Sequence, residues 1–202
     1  MLPYLSFPHW LVVISVLISL FRASIYVRDT LTGKTKPNRI SHAMWALAPA
    51  VGVISALSAH ADIWTTSRIF MAGFGPFVIL LASFFNRQSY WKLTPFDFLC
   101  GLFSAFGLVA LLFAKSPELA ILFAVIGDCF AAIPTIIKSW KYPGTETGLS
   151  YIAGLIAALL IVPSIPKWDI TNSAFQIYLI VVEIIFISAI YRKQISRWFS
   201  TN

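Results

Sequence analysis

Few side chains in this sequence combine chemical capability with apolar surroundings, and Asp128 is the sharpest of them. It sits in the run Ala124-Val125-Ile126-Gly127-Asp128-Cys129-Phe130-Ala131, where every neighbour is apolar or small. An acid buried in oil costs about 2.5–3.5 kcal/mol on insertion scales unless it is paired or watered. Such acids mark solute or proton routes, or else bond to polar groups on a neighbouring helix. Arg22 stands in similar surroundings; it is either a partner for Asp128 or a side chain that snorkels to the interface. Glu183, with Gln176 seven positions earlier on the same helical face, reads either as a coupling site or as a protonated acid bonded to another helix.

Around these acids the spacing suggests a polar face. Ser15, Ser19, Arg22 and Tyr26 follow at i, i+4, i+7 and i+11, which puts them on one side of a helix. His42 and Trp45 are separated by i, i+3, and Pro49 follows four residues later. An indole can serve as an apolar platform for a sugar ring or heterocycle, and an imidazole can titrate near neutral pH. Plain packing with an interfacial histidine explains the same residues. Pro49, Pro76, Pro134, Pro163 and Pro166 are candidate hinges, with kinks and close packing as the alternative. No nucleophile elbow, phosphate loop, metal cluster or pair of catalytic carboxylates occurs at useful spacing, so neither catalysis nor a cofactor is expected.

The elements that would hold these residues are membrane helices. Of the 202 residues, 58% are hydrophobic and only 11% charged, and mean hydropathy is +0.81, outside the range of soluble domains. In hydrocarbon the backbone must satisfy its own hydrogen bonds, and long unalternating apolar runs select helices over a barrel. Seven segments approach the roughly 20 residues a crossing needs: Phe7 to Tyr26, Ile40 to Ala59, Ser67 to Phe85, Phe96 to Ala114, Glu118 to Ile137, Leu149 to Ser164 and Ser173 to Tyr191. Thr94-Pro95-Phe96-Asp97 and Ser116-Pro117-Glu118 share one grammar of cap, proline and first-turn acid, which assigns Asp97 and Glu118 to helix starts. Cys100 and Cys129 read as small hydrophobes rather than disulfide partners. No cleaved leader is expected, because the first basic residue, Arg22, follows the first apolar stretch.

Charge orients these segments. Arg22, Arg28, Lys34, Lys36, Arg39, Arg87, Lys92, Lys138, Lys141, Arg192, Lys193 and Arg197 gather on one side, leaving only Arg68, Lys115 and Lys167 of the 15 basic residues on the other. The positive-inside rule then places the C-terminus in the cytoplasm and the N-terminus outside, in the cell membrane. The net charge of +7 is accounted for by an anionic leaflet, so no nucleic-acid partner is implied.

Segments one to three and five to seven repeat one plan, with the fourth alone between them: a first three-helix bundle over residues 1–93, a linker helix over 94–115, and a second bundle with a short tail over 116–202. Shifting one half by 109 positions pairs Phe21 with Phe130, Ala23 with Ala132 and Ser41 with Ser150. The shift also maps Ser19, Arg22 and Tyr26 onto Asp128, Ala131 and Thr135. This three-one-three plan, with the stretch Gly127 to Trp140 and its Pro134-Thr135 pair, resembles the MtN3 superfamily of SWEET, PQ-loop and vitamin-precursor transporters. Thr135 stands where that family's motif has glutamine, and Ile25-Tyr26 stand where the first half would carry Pro-Gln. The resemblance implies alternating access between two bundles, transport of a small polar solute such as a sugar, amino acid or vitamin precursor, and a site at Asp128, Arg22, Ser19, Tyr26, Thr135, His42, Trp45 and Glu183. Proton linkage through Asp128 is one option. The same fold also serves a non-transporting receptor or assembly protein. Partners are the lipid bilayer and the solute, and self-association into a homo-oligomer is left open.

Overall fold

The computed structural model describes residues 6–58, 63–114, 116–165 and 167–201, and among them it is helical throughout, without strands. Seven α-helices follow in order: α1 Phe7–Leu31, α2 Arg39–Ser58, α3 Ile63–Phe85, α4 Pro95–Leu112, α5 Pro117–Lys141, α6 Gly148–Ile161 and α7 Ile170–Thr201. The segments Phe7–Leu31, Glu118–Lys141 and Ile170–Trp198 are long and apolar enough to cross a membrane by themselves. Expectations that fall on Ala59, Lys115 and Pro166 lie outside the described residues.

The cap grammar is realised in coordinates. Ser116 Oγ accepts from Leu119 N–H at 3.4 Å at the head of α5. At the head of α4, the Thr94 N–H and hydroxyl donate to Asp97 Oδ2 at 2.5 and 2.7 Å, while Thr94 Oγ1 accepts from Asp97 N–H at 3.3 Å. Asp97 has a second duty, accepting from Asn38 Nδ2 at 2.8 Å and so tying the start of α2 to the start of α4. Asp169 caps α7 by accepting from the backbone and side-chain N–H groups of Asn172, at 2.9 and 2.7 Å. Those bonds hold its carboxyl below the ordinary aspartate range.

Two helices outrun their hydropathy. α1 continues past Tyr26 to Leu31 because its last turn, polar in sequence, is buried against a loop: Asp29 is 8% exposed and Thr30 fully covered. α7 runs ten residues beyond Tyr191 to Thr201, and there Arg192 lies over the Trp140 ring at 5.1 Å. Apolar content marks only the part of a helix that meets oil, so both extensions escape a hydropathy reading. α6 is the shortest at 14 residues; Pro163 lies in the 3-10 turn Val162–Ser164 that ends it, not inside the helix.

α3 packs on both α1 and α2, and α7 packs on both α5 and α6; α1 further meets α6, and α2 meets α5. α4 lies against α5 and α2. Its approach to α5 runs backbone to backbone: a Cβ on Gly107 would stand 2.7 Å from Gly127 Cα, and Phe103 stacks on Phe130 with centroids 5.0 Å apart. Gly107→Val therefore forces the two helices apart. Equilibrium unfolding in mixed micelles should register a loss of about 1–3 kcal/mol, the usual range for an overpacked contact.

Candidate functional site

Between α1, α2, α3, α5, α6 and α7 lies a cavity of about 430 Å³. Its charged members come from three helices. Arg22 of α1 donates through Nη1 to Glu183 Oε1 of α7 at 2.5 Å. The pair passes over Gly154 of α6, where any Cβ would collide with both Arg22 Nη1 and Glu183 Oε1. Glycine is thus the residue that leaves this ion pair room. Glu183 is 5% exposed, and its second oxygen, Oε2, is buried without a hydrogen-bond partner among the described residues.

Asp128 of α5 lines the same cavity and is bonded differently. Its Oδ2 accepts from the Tyr178 hydroxyl of α7 at 2.5 Å, and the Trp45 indole N–H lies close enough to interact without forming a hydrogen bond of standard geometry. Among the described residues no Lys or Arg pairs with Asp128. Arg22, which the sequence offers either as a partner for Asp128 or as a snorkelling side chain, pairs with Glu183 instead. The helical register placed Arg22 and Asp128 on matching faces; the fold brings α7 closer to Arg22 than α5.

Five aromatic rings from four helices close a circuit along the cavity wall. Tyr26 meets His42 at 5.5 Å between centroids, His42 meets Trp45 at 5.2 Å, Trp45 meets Phe186 at 6.0 Å, Phe186 stacks on Tyr151 at 4.5 Å, and Tyr151 returns to Tyr26 at 6.4 Å. Edge and offset geometries of this kind are favourable for aromatic pairs. His42 is buried, with Nδ1 against Asn38 O at 3.0 Å.

Behind this circuit a polar network joins the α1–α2 loop to the α5–α6 loop. The hydroxyls of Tyr26 and Tyr151 donate to Glu146 Oε2 at 2.6 and 2.9 Å. Lys138 Nζ pairs with Glu146 Oε1 and also donates to Lys36 O. Lys36 N–H donates to Thr145 O at 3.0 Å, Thr35 and Thr147 share a hydroxyl bond of 2.6 Å, and Thr147 Oγ1 donates to Asp29 Oδ2 at 2.9 Å. Lys138 and Glu146 are 2% and 5% exposed, so this end of the molecule is filled by paired polar groups rather than by oil, with Glu146 Oε1 held by its ion pair to Lys138 alone.

Of the residues singled out in the sequence, Ser19, Arg22, Tyr26, His42, Trp45, Asp128 and Glu183 line the cavity, together with Pro49 and Pro76. Thr135 does not: it is fully buried and donates to Ser41 Oγ at 2.8 Å, fastening α5 to α2. Pro134 and Pro163 also lie away from the lining. Glu146, Lys138, Tyr151, Tyr178 and Phe186 were not legible as site residues. Lys138 counted only as inside charge, and Glu146 sits in a polar stretch that reads as an ordinary turn. Among the described residues no group of three or more His, Cys, Asp or Glu side chains is placed to hold a metal. Comparison with known proteins finds no matching family model, no matching curated protein and no matching solved structure.

The Lys138–Glu146 pair generates a stability prediction. Removing one member strands the other charge in the interior, a change that costs about 3–5 kcal/mol. Glu146→Gln should lower the thermal unfolding midpoint in detergent markedly, whereas Lys138→Met combined with Glu146→Gln, which strands no charge, should recover part of the loss. Equal midpoints for the single and double variants would contradict the assignment.

Proposed function

We propose that this protein is a membrane transporter for a small polar solute, working by alternating access around the central cavity. The chain crosses the cell membrane seven times with the N-terminus outside. Residues 1–93 and 116–202 form two three-helix bundles, and 94–115 is the linker, as in the MtN3 architecture the sequence resembles. Support comes from the helix contacts. The 109-residue shift exchanges α1 with α5, α2 with α6 and α3 with α7, and it carries the main contacts among these six helices onto one another: α1·α3 onto α5·α7, α2·α3 onto α6·α7, and α1·α6 onto α5·α2. A two-fold relation between halves is the arrangement in which rocking about a shared midplane site is mechanically simple.

The observation that carries the reading is the cavity itself. It is contributed by both halves, holds charged groups at the depth of apolar helices, and is closed at one end by the Glu146 network. On this reading the sealed end is cytoplasmic, since the α1–α2 loop carries Lys34 and Lys36 and the adjoining helix ends carry Arg39 and Lys141. The lining continues in the opposite direction to Asn172, in the first turn of α7. Opening inward requires the α1–α2 and α5–α6 loops to part. Pro49, Pro76 and Pro134, each inside a helix, interrupt backbone hydrogen bonding where bending is then needed.

Two measurements test this. In a variant carrying Cys100→Ala and Cys129→Ala, Lys141→Cys should react with a membrane-impermeant maleimide only after the cytoplasmic face is opened, and Lys167→Cys in intact cells. Proteoliposomes loaded with a mixture of sugars, amino acids and amines should release one class faster than protein-free vesicles. Asp128→Asn should slow that release about tenfold or more, in line with loss of one charge-assisted hydrogen bond. Saturable binding without release of any solute would favour a receptor instead.

A further inference from the structure

We infer that the solute taken by this cavity is a small organic cation with an aromatic or apolar body, and that Asp128 is its counter-charge. The inference rests on the cavity being a solute site and adds the class of solute. It begins with how the charges are distributed. Arg22 and Glu183 cancel each other at 2.5 Å, and the charge of Lys138 is taken up by Glu146 outside the lining. Asp128 is left as an acid facing the cavity, with a phenol and an indole N–H beside it and no Lys or Arg paired with it among the described residues. Neither neighbour supplies a compensating positive charge, and an uncompensated carboxylate among membrane helices is costly.

A second, independent feature points the same way. Glu183, 5% exposed, lines the cavity, and its buried Oε2 has no donor among the described residues. A carboxylate oxygen can only accept, so the missing partner is an N–H or O–H group from whatever occupies the space. An ammonium or amidinium offers several such donors together with the charge that Asp128 lacks. Anionic solutes would meet two carboxylates and one already engaged guanidinium. A neutral polyol could donate to Glu183 but would leave Asp128 unbalanced.

The remaining wall fits the body of such a solute. Trp45, Tyr151, Phe186 and Tyr26 present aromatic rings around the same space, and rings attract cations through their negative faces while stacking on flat apolar groups. At about 430 Å³ the space suits a molecule of one ring and a short chain rather than a peptide.

Charge-matched probes decide the matter with the intact protein in nanodiscs of neutral phosphatidylcholine, empty nanodiscs serving as the control. Phenethylamine, 2-phenylethanol and phenylacetate share a ring and differ in charge. Calorimetric titration near neutral pH should find the amine bound about tenfold or more tighter than the alcohol, with no binding of the carboxylate. Asp128→Asn, which keeps an acceptor for Tyr178, should reduce the amine to the level of the alcohol. The inference is overturned if the amine does not bind, if the alcohol or carboxylate matches it, or if the amine preference survives in Asp128→Asn. The wild-type comparison stands even where the variant misfolds. Failure of the transport reading looks different: amine binding with no release from proteoliposomes removes transport and keeps the cation site, while release of sugars or carboxylates without amine binding does the reverse.

Discussion

The buried Lys138–Glu146 ion pair is the interaction on which the rest of the structure leans. Neither charge reaches solvent, and each is surrounded by the groups that make its burial tolerable: two tyrosine hydroxyls on Glu146, a backbone carbonyl on Lys138. Those groups come from α1, α6 and the α1–α2 loop, so one ion pair draws segments more than a hundred residues apart to a single point. Tyr26 and Tyr151, held by their hydroxyls, in turn set the aromatic circuit that walls the cavity. Oil alone would not specify this. Apolar helices slide against one another with little loss, whereas a buried polar network is satisfied in one register only.

Above that fixed point the cavity treats its two acids differently. Glu183 is engaged through one oxygen by a guanidinium that Gly154 makes room for, and Asp128 is held by a phenol. Both α7 residues involved, Tyr178 and Glu183, lie on one long apolar helix. α7 therefore sets the orientation of polar groups belonging to α1 and α5, which gives it a direct part in the cavity's electrostatics.

Helices and caps were readable in the sequence because their causes are local: apolar run length, a proline after Thr94 or Ser116, an acid in the first turn. Membership of the cavity was partly readable for a related reason, since the i, i+4, i+7, i+11 spacing of Ser15, Ser19, Arg22 and Tyr26 depends only on helical period. Pairing was not. Which acid meets Arg22 depends on how α7 is placed against α1, 161 residues away, and spacing within a helix carries no information about that. Thr135 illustrates the same limit: its register matched Tyr26, yet its neighbour is Ser41 on α2 rather than open space. Glu146 escaped notice because a polar residue in a turn gives no sign that its loop will be buried.

The glycine contact between α4 and α5 has a consequence for how strain distributes. α4 is seated on α5 at backbone distance, whereas its tie to α2 is the side-chain bond from Asn38 to Asp97 together with Ile40 lying over Gly101. Two helices locked through Gly107 and Gly127 respond as one stiff beam. A relative displacement of α2 and α5 would then act on the α2–α4 seam as well as on the direct α2–α5 contact that the Thr135–Ser41 bond fastens. The fourth helix is thereby seated more closely on α5 than on α2, and a side chain added at Gly107 or Gly127 would loosen the tighter of its two seams.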